Sequence, residues 1–159
     1  MKNSLTKQHL LFLIIGAFSL LVASEFSHFI GTITQQLLII TYQKPLLTII
    51  VKDIVQFSVF VLSILFILKL VSSSKKDQPI QFRKIIIRLI VIYIIIQISR
   101  VLYGINGISS IKNYNACAKI HSEYIKENYL VLNVSSFVYY LQLIFFVVII
   151  LNHKIKNDK

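Results

Sequence analysis

Residues Ile85–Ile105 read IIIRLIVIYIIIQISRVLYGI. Ile, Leu and Val dominate the stretch. Its length matches the ~20 mostly apolar residues that carry an α-helix across a bilayer core. Such a run is too long for an ordinary strand, and a membrane barrel would show ~10-residue segments of alternating hydrophobicity. A transmembrane helix is therefore predicted here. Arg100 lies inside it. An ionisable side chain at that position is costly unless it meets a partner, a cavity or the interface.

Three further apolar segments flank this one. The first is Leu10–Ser24, which extends to Ile30 if Glu25 and His28 lie at the interface. The second is Leu46–Val71, interrupted near its start by Lys52 and Asp53, and the last is Tyr129–Leu151, which carries no charge. Spans of about 10–30, 46–71, 85–105 and 129–151 predict an all-α membrane protein. Its four transmembrane helices would form an up-down bundle, one integral domain covering 1–159.

Composition agrees. The chain has 159 residues, 56% of them hydrophobic, and only 14% are charged, against about 25% in soluble domains. Its net charge of +11 admits nucleic-acid binding. However, the cations flank apolar spans, where they orient the chain and meet anionic lipid headgroups. No basic segment is long enough for a separate DNA-binding domain, so direct nucleic-acid contact is not expected. Cys117 is the sole cysteine, which excludes an internal disulfide and a Cys-x-x-Cys pair.

With both termini inside, Lys2, Lys7, Lys69, Lys75, Lys76, Arg83, Lys84, Arg88, Lys154, Lys156 and Lys159 fall on the cytoplasmic side. Lys44, Lys52, Arg100, Lys112, Lys119 and Lys126 fall outward. The positive-inside bias thus predicts N-in, C-in. The first segment also has a signal-peptide pattern, with Lys2 and Lys7, an apolar middle and Val22-Ala23-Ser24. Retention is the reading taken, because the apolar run is long for a leader and retention completes an even-numbered bundle.

The inner loop, Ser72–Lys84, holds Asp77 as a candidate N-cap and Pro79 in the first turn of the third helix. Lys75, Lys76, Arg83 and Lys84 form a candidate basic contact surface. The outer connection Gly31–Pro45 is only weakly polar, and Leu37–Ile40 suggests a re-entrant or interfacial piece. In the second outer loop, Tyr114, Ala118, His121 and Ile125 recur at helical spacing, which predicts a short interfacial helix between the third and fourth spans.

Counted at 1.5 Å per residue from the inner span ends, Glu25, Asp53 and Arg100 come roughly 22 to 27 Å up. That is the outer quarter of a ~30 Å core, and Asn133 falls near the same level. Gln97 shares the Arg100 face, Gln56 and Ser63 share that of Asp53, and Ser136 and Tyr140 that of Asn133. Glu25, Asp53, Gln97, Arg100 and Asn133 are therefore candidates for one polar seam. It would be either structural glue between helices or an outward-facing binding site. Cys117, His121 and Glu123 are too loosely spaced to define a metal site. Asn133-Val134-Ser135 matches a glycosylation sequon but lies in a predicted span. The chain has no protease, hydrolase, P-loop or dinucleotide motif, so neither an enzyme nor a cofactor is expected.

Tyr42-Gln43-Lys44-Pro45-Leu46-Leu47, Leu68-Lys69-Leu70, Lys75-Lys76-Asp77-Gln78-Pro79-Ile80 and Arg83-Lys84-Ile85-Ile86 carry a resemblance. Over Tyr42 to Leu102 the chain resembles a family of small bacterial membrane proteins of unknown function, the type numbered twenty-nine seventy-five. Its usual Pro-Phe after the turn is Pro79-Ile80 here. The resemblance implies four spans and a pairing with a cytoplasmic helix-turn-helix regulator, and it carries over no active site.

Taken together, the sequence points to a non-enzymatic accessory or regulatory membrane protein acting through protein contacts. A regulator pairing and immunity-type self-protection both fit, and self-association stays open. The alternative is a small transporter or channel subunit using the seam.

Overall fold

The computed structural model describes residues 2–41, 43–72, 79–106, 114–127 and 129–152. They form five helices: α1 (Lys2–Ile40), α2 (Pro45–Ser72), α3 (Pro79–Asn106), α4 (Tyr114–Glu127) and α5 (Tyr129–Asn152). No strand occurs among the described residues. Three helices are long and apolar enough to cross a membrane, over Leu10–Ile40, Pro45–Val71 and Arg83–Ile105. In α5 the described side chains make a shorter apolar run, Ser136–Ile149.

The largest departure from the sequence reading is the length of α1. A connection with a re-entrant or interfacial piece was expected from Gly31 to Pro45, yet the helix runs without a break to Ile40. Nothing between Gly31 and Ile40 stops it. The first proline is Pro45, and Thr32 and Thr34 return their hydroxyls to the carbonyls of His28 and Ile30, each at 2.9 Å. Such back-bonding lets Ser and Thr sit in apolar helices without an orphaned polar group. Ser19, Ser58 and Ser63 do the same with Ile15, Ile54 and Val59. The end is made at Thr41 and Gln43, whose amides donate to the carbonyls of Leu37 and Leu38 at 3.1 Å. Those bonds satisfy last-turn carbonyls that would otherwise lack donors. Pro45 then opens α2 at a position where its missing N–H costs nothing.

α1 and α2 pair as a hairpin at the centre of the fold. Gly31 lets the two come close, for a Cβ there would stand 3.1 Å from Gln56 Oε1 and 3.3 Å from its Cβ. Small residues allow such contacts between apolar helices, where dispersion rather than the hydrophobic effect drives association. Gly16 faces open space, with nothing within 4 Å of its would-be Cβ.

The other helices attach to opposite sides of the hairpin. α3 packs along α1 rather than along its chain neighbour α2. Its Ile85, Leu89 and Ile96 join Ile15 and Val22 of α1, with Ile67 of α2 at one end. α5 packs on α2, where Phe146 and Ile149 meet a cluster of Ala23, Phe60 and Ile64. Phe57 and Phe145 stack edge to face at 5.6 Å. The opposite face of α3 stays exposed, including Ile87, Val91, Ile94, Ile95, Ile98, Val101 and Leu102. Those side chains suit a lipid solvent.

α4 differs from the rest. It caps the hairpin end, touching α1, α2 and α5. Cys117 and His121, one turn apart, are buried beneath it, whereas Lys119, Ile120 and Glu123 are exposed. Tyr114 and Ala118 are half-buried, so the buried stripe falls close to the expected helical spacing. Lys75, Lys76 and Asp77 lie outside the described residues.

Candidate functional site

Glu25 is the centre of the site. It sits midway along the apolar part of α1, Leu10–Ile40. Arg100 of α3 forms an ion pair with its Oε2, and Gln97 Nε2, one turn away, donates to the same oxygen at 3.4 Å. The i, i+3 spacing of Gln97 and Arg100 puts both on the α3 face that packs on α1. Two apolar helices that would each carry a half-buried lone charge are thus joined by a charge-assisted bond.

Asp53 has a different partner. Its Oδ1 is 3.2 Å from Lys52 Nζ, and the carboxylate is buried. Aligning α1 and α2 at the Gly31–Gln56 contact puts Asp53 ~14 Å nearer the hairpin end than Glu25. The structure therefore brings Glu25, Gln97 and Arg100 together, with Asp53 at another level. Asn133 belongs to the backbone of α5, and its side chain lies outside the described residues. Arg83 and Lys84 are exposed at the start of α3.

The same alignment sets the site among the charged residues of α2 and α3. Lys52 comes ~15 Å from the Glu25 level toward the hairpin, whereas Lys69 and Arg88 come ~11 and ~18 Å away on the other side. Glu25 and Arg100 thus lie midway between two charged layers about 30 Å apart, the thickness of a hydrocarbon core. Counting from the inner span ends near Leu10, Val71 and Ile85 put them in the outer quarter of the core.

More polar groups share this level. Tyr139 of α5 and His28 Nδ1 of α1 are 3.0 Å apart, and their rings are tilted at 6.4 Å. Gln142, one turn along from Tyr139, is buried, and its Nε2 has no partner among the described residues. Between α1, α2 and α5 is a cavity of about 380 Å³, lined by Ala17, Leu20, Leu21, Ser24, Glu25, Phe60, Tyr139, Gln142 and Leu143. Toward the hairpin, the Tyr103 hydroxyl donates to Gln36 Oε1 at 2.6 Å, and its ring stacks edge to face on Phe29. Sequence reading missed Gln36, Tyr103 and Gln142, and put His28 only at the interface. Their signal was polarity at matched levels, which becomes legible only once α1 is known to continue past Ile30.

No group of three or more His, Cys, Asp or Glu able to hold a metal occurs among the described residues. His121 is instead a buried base. Burial lowers its pKa from the ordinary 6.5, partly opposed by a hydrogen bond with the Gln43 backbone. Its Nδ1 has no partner among the described residues. The sign of the linkage follows. Above pH 6.5 both the folded and the unfolded ring are neutral, so the His121 contribution to α4 docking is complete. Below that value the unfolded ring takes up a proton first, and docking weakens until the lowered folded pKa is passed. Amide exchange in α4, corrected for intrinsic rates, should accelerate relative to α1 between pH 7.5 and 5. In His121→Gln that acceleration should disappear.

Comparison of the chain with family models, with curated proteins and with solved structures returns no match.

Proposed function

We propose that the chain is a non-enzymatic accessory or regulatory protein of a bacterial cytoplasmic membrane. It crosses four times, N-in and C-in, with α4 on the outer surface. It acts through contacts with other proteins, either a cytoplasmic regulator or a membrane-active agent against which it protects the cell. The observation that carries this reading is the pairing of span charges within the chain, Arg100 with Glu25 and Lys52 with Asp53. The first pair ties α3 to α1 and the second satisfies Asp53 within α2, while the outer face of α3 stays apolar. The resemblance to the family numbered twenty-nine seventy-five supports a cytoplasmic regulator as partner, and the Lys75, Lys76, Arg83 and Lys84 cluster is the surface it would meet.

Topology is tested by single cysteines at Ser73 and Ser109 in a Cys117→Ser background. With an impermeant thiol reagent on intact cells, Ser109→Cys should label and Ser73→Cys should not. The reverse pattern would overturn the orientation. Replacing Lys75, Lys76, Arg83 and Lys84 by Gln should lower recovery of cytoplasmic proteins cross-linked to the chain. Unchanged recovery would remove the basic loop from the reading.

One observation favours the transporter or channel alternative. Ionisable groups halfway through a membrane mark substrate and proton pathways in many proteins, and Glu25 and Arg100 lie midway between the charged layers. Purified protein in liposomes distinguishes the two readings. A proton or solute flux abolished by Glu25→Gln would favour transport.

A further inference from the structure

The cavity between α1, α2 and α5 has a chemistry that the ion pair does not use. Its volume of about 380 Å³ falls within the range of small-molecule sites. Its wall is mostly apolar and includes Leu20, Leu21, Phe60 and Leu143. Leu21 and Leu143 are themselves exposed on the outer surface of the fold, so the cavity opens sideways between α1 and α5. In a bilayer that opening faces hydrocarbon, not water.

Two polar groups in the wall are incompletely used. Both described hydrogen bonds to Glu25 end on Oε2, leaving Oε1 as an acceptor. Gln142 is only 3% exposed, and its Nε2 has no partner among the described residues. A buried donor without a partner costs the full desolvation of that group. The cavity therefore offers one acceptor and one donor to a single occupant. Because Arg100 already neutralises Glu25, there is no net charge for a cation to balance. Midway between the charged layers, a phospholipid headgroup is out of reach.

We infer that this cavity is a binding site for a neutral, hydroxyl-bearing lipophile drawn from the hydrocarbon core, the class of long-chain and isoprenoid alcohols. The hydroxyl donates to Glu25 Oε1 and accepts from Gln142 Nε2, and the chain lies along Leu20, Leu21 and Leu143. The site rests on α1 and α5 both crossing the membrane, and does not depend on which protein partner the chain has.

The test uses the full-length protein in membrane vesicles and a hexadecanol probe bearing a diazirine. Photolabelling should map to the α1 and α5 segments around Leu21 and Leu143. Unlabelled hexadecanol should compete about five-fold better than hexadecane, the factor expected of a net hydrogen-bond contribution. Ala17→Trp, which fills the cavity, and Gln142→Leu, which removes the donor, should each lower labelling several-fold. Equal competition by hexadecane would overturn the site's polar recognition. Labelling unchanged in both variants would overturn the location. Stronger competition by hexadecylammonium than by hexadecanol would overturn the neutral assignment. The wild-type competition stands even if a variant fails to fold. Cysteines at Tyr129 and Asn152 that label from the same side would show instead that α5 does not cross, a failure separate from these.

Discussion

Arg100→Leu should lower the yield of folded protein sharply, whereas Arg88→Leu should leave it nearly unchanged. Arg100 pairs with Glu25 between α3 and α1, midway between the charged layers. Its removal leaves the carboxylate as a lone charge among apolar helices. Breaking such a pair costs about 3 kcal/mol, most of it the penalty of the orphaned partner. Arg88 is exposed near the start of α3, where a long cationic side chain reaches the interface. The double substitution Arg100→Leu with Glu25→Leu should recover about half of the loss, because it removes the orphan as well. Arg100→Leu with Asp53→Leu should recover none, since Asp53 is paired to Lys52 at another level. Detergent-resistant folded fraction, followed by size-exclusion fluorescence, reads all four variants. Equal rescue by the Asp53 change would show that Arg100 shares both acids.

Gly31→Leu should be the most damaging change at any glycine described here. A Cβ alone comes within 3.3 Å of Gln56 Cβ, so a branched side chain forces α1 and α2 apart along the contact on which the fold is built. Overpacking of this kind costs about 3 kcal/mol. Gly31→Ala should be nearly neutral. Its gain in helix propensity of about 1 kcal/mol is offset by the shift it demands of Gln56. At Gly16, with open space around it, alanine should stabilise by up to about 1 kcal/mol and leucine should be tolerated. Thermal midpoints in one detergent rank the variants. A Gly31→Leu protein as stable as its parent would mean that the hairpin does not rely on this approach.

These outcomes separate what the chain's pattern dictates from what packing decides. Long runs of Ile, Leu, Val and Phe fix helices and an apolar solvent, because no other spanning element satisfies its own backbone in so few residues. Arg100 announced itself as a residue needing a partner by the same logic, since its cost is local and independent of the neighbours' identity. A helical α4 with Cys117 and His121 on one face was readable from spacing alone.

Three things were not local. The continuation of α1 through Gly31 depends on a helix on the other side of the contact. Glycine reads as a breaker in sequence, but against Gln56 it is what permits the approach. The choice of Glu25 over Asp53 depends on which helix α3 lies against, and that is set by the packing of Ile85, Leu89 and Ile96 on α1. Apolar periodicity says that a face is buried, never which of several equally apolar faces it meets. The cavity beside Gln142 is the space left where α5 follows α2 but not the full width of α1. Sequence determined the elements, the solvent they face and the presence of a charge in need of pairing. Tertiary structure alone decided the partner, its depth and the vacant volume beside it, because those follow from side-chain shapes on different helices meeting at close range.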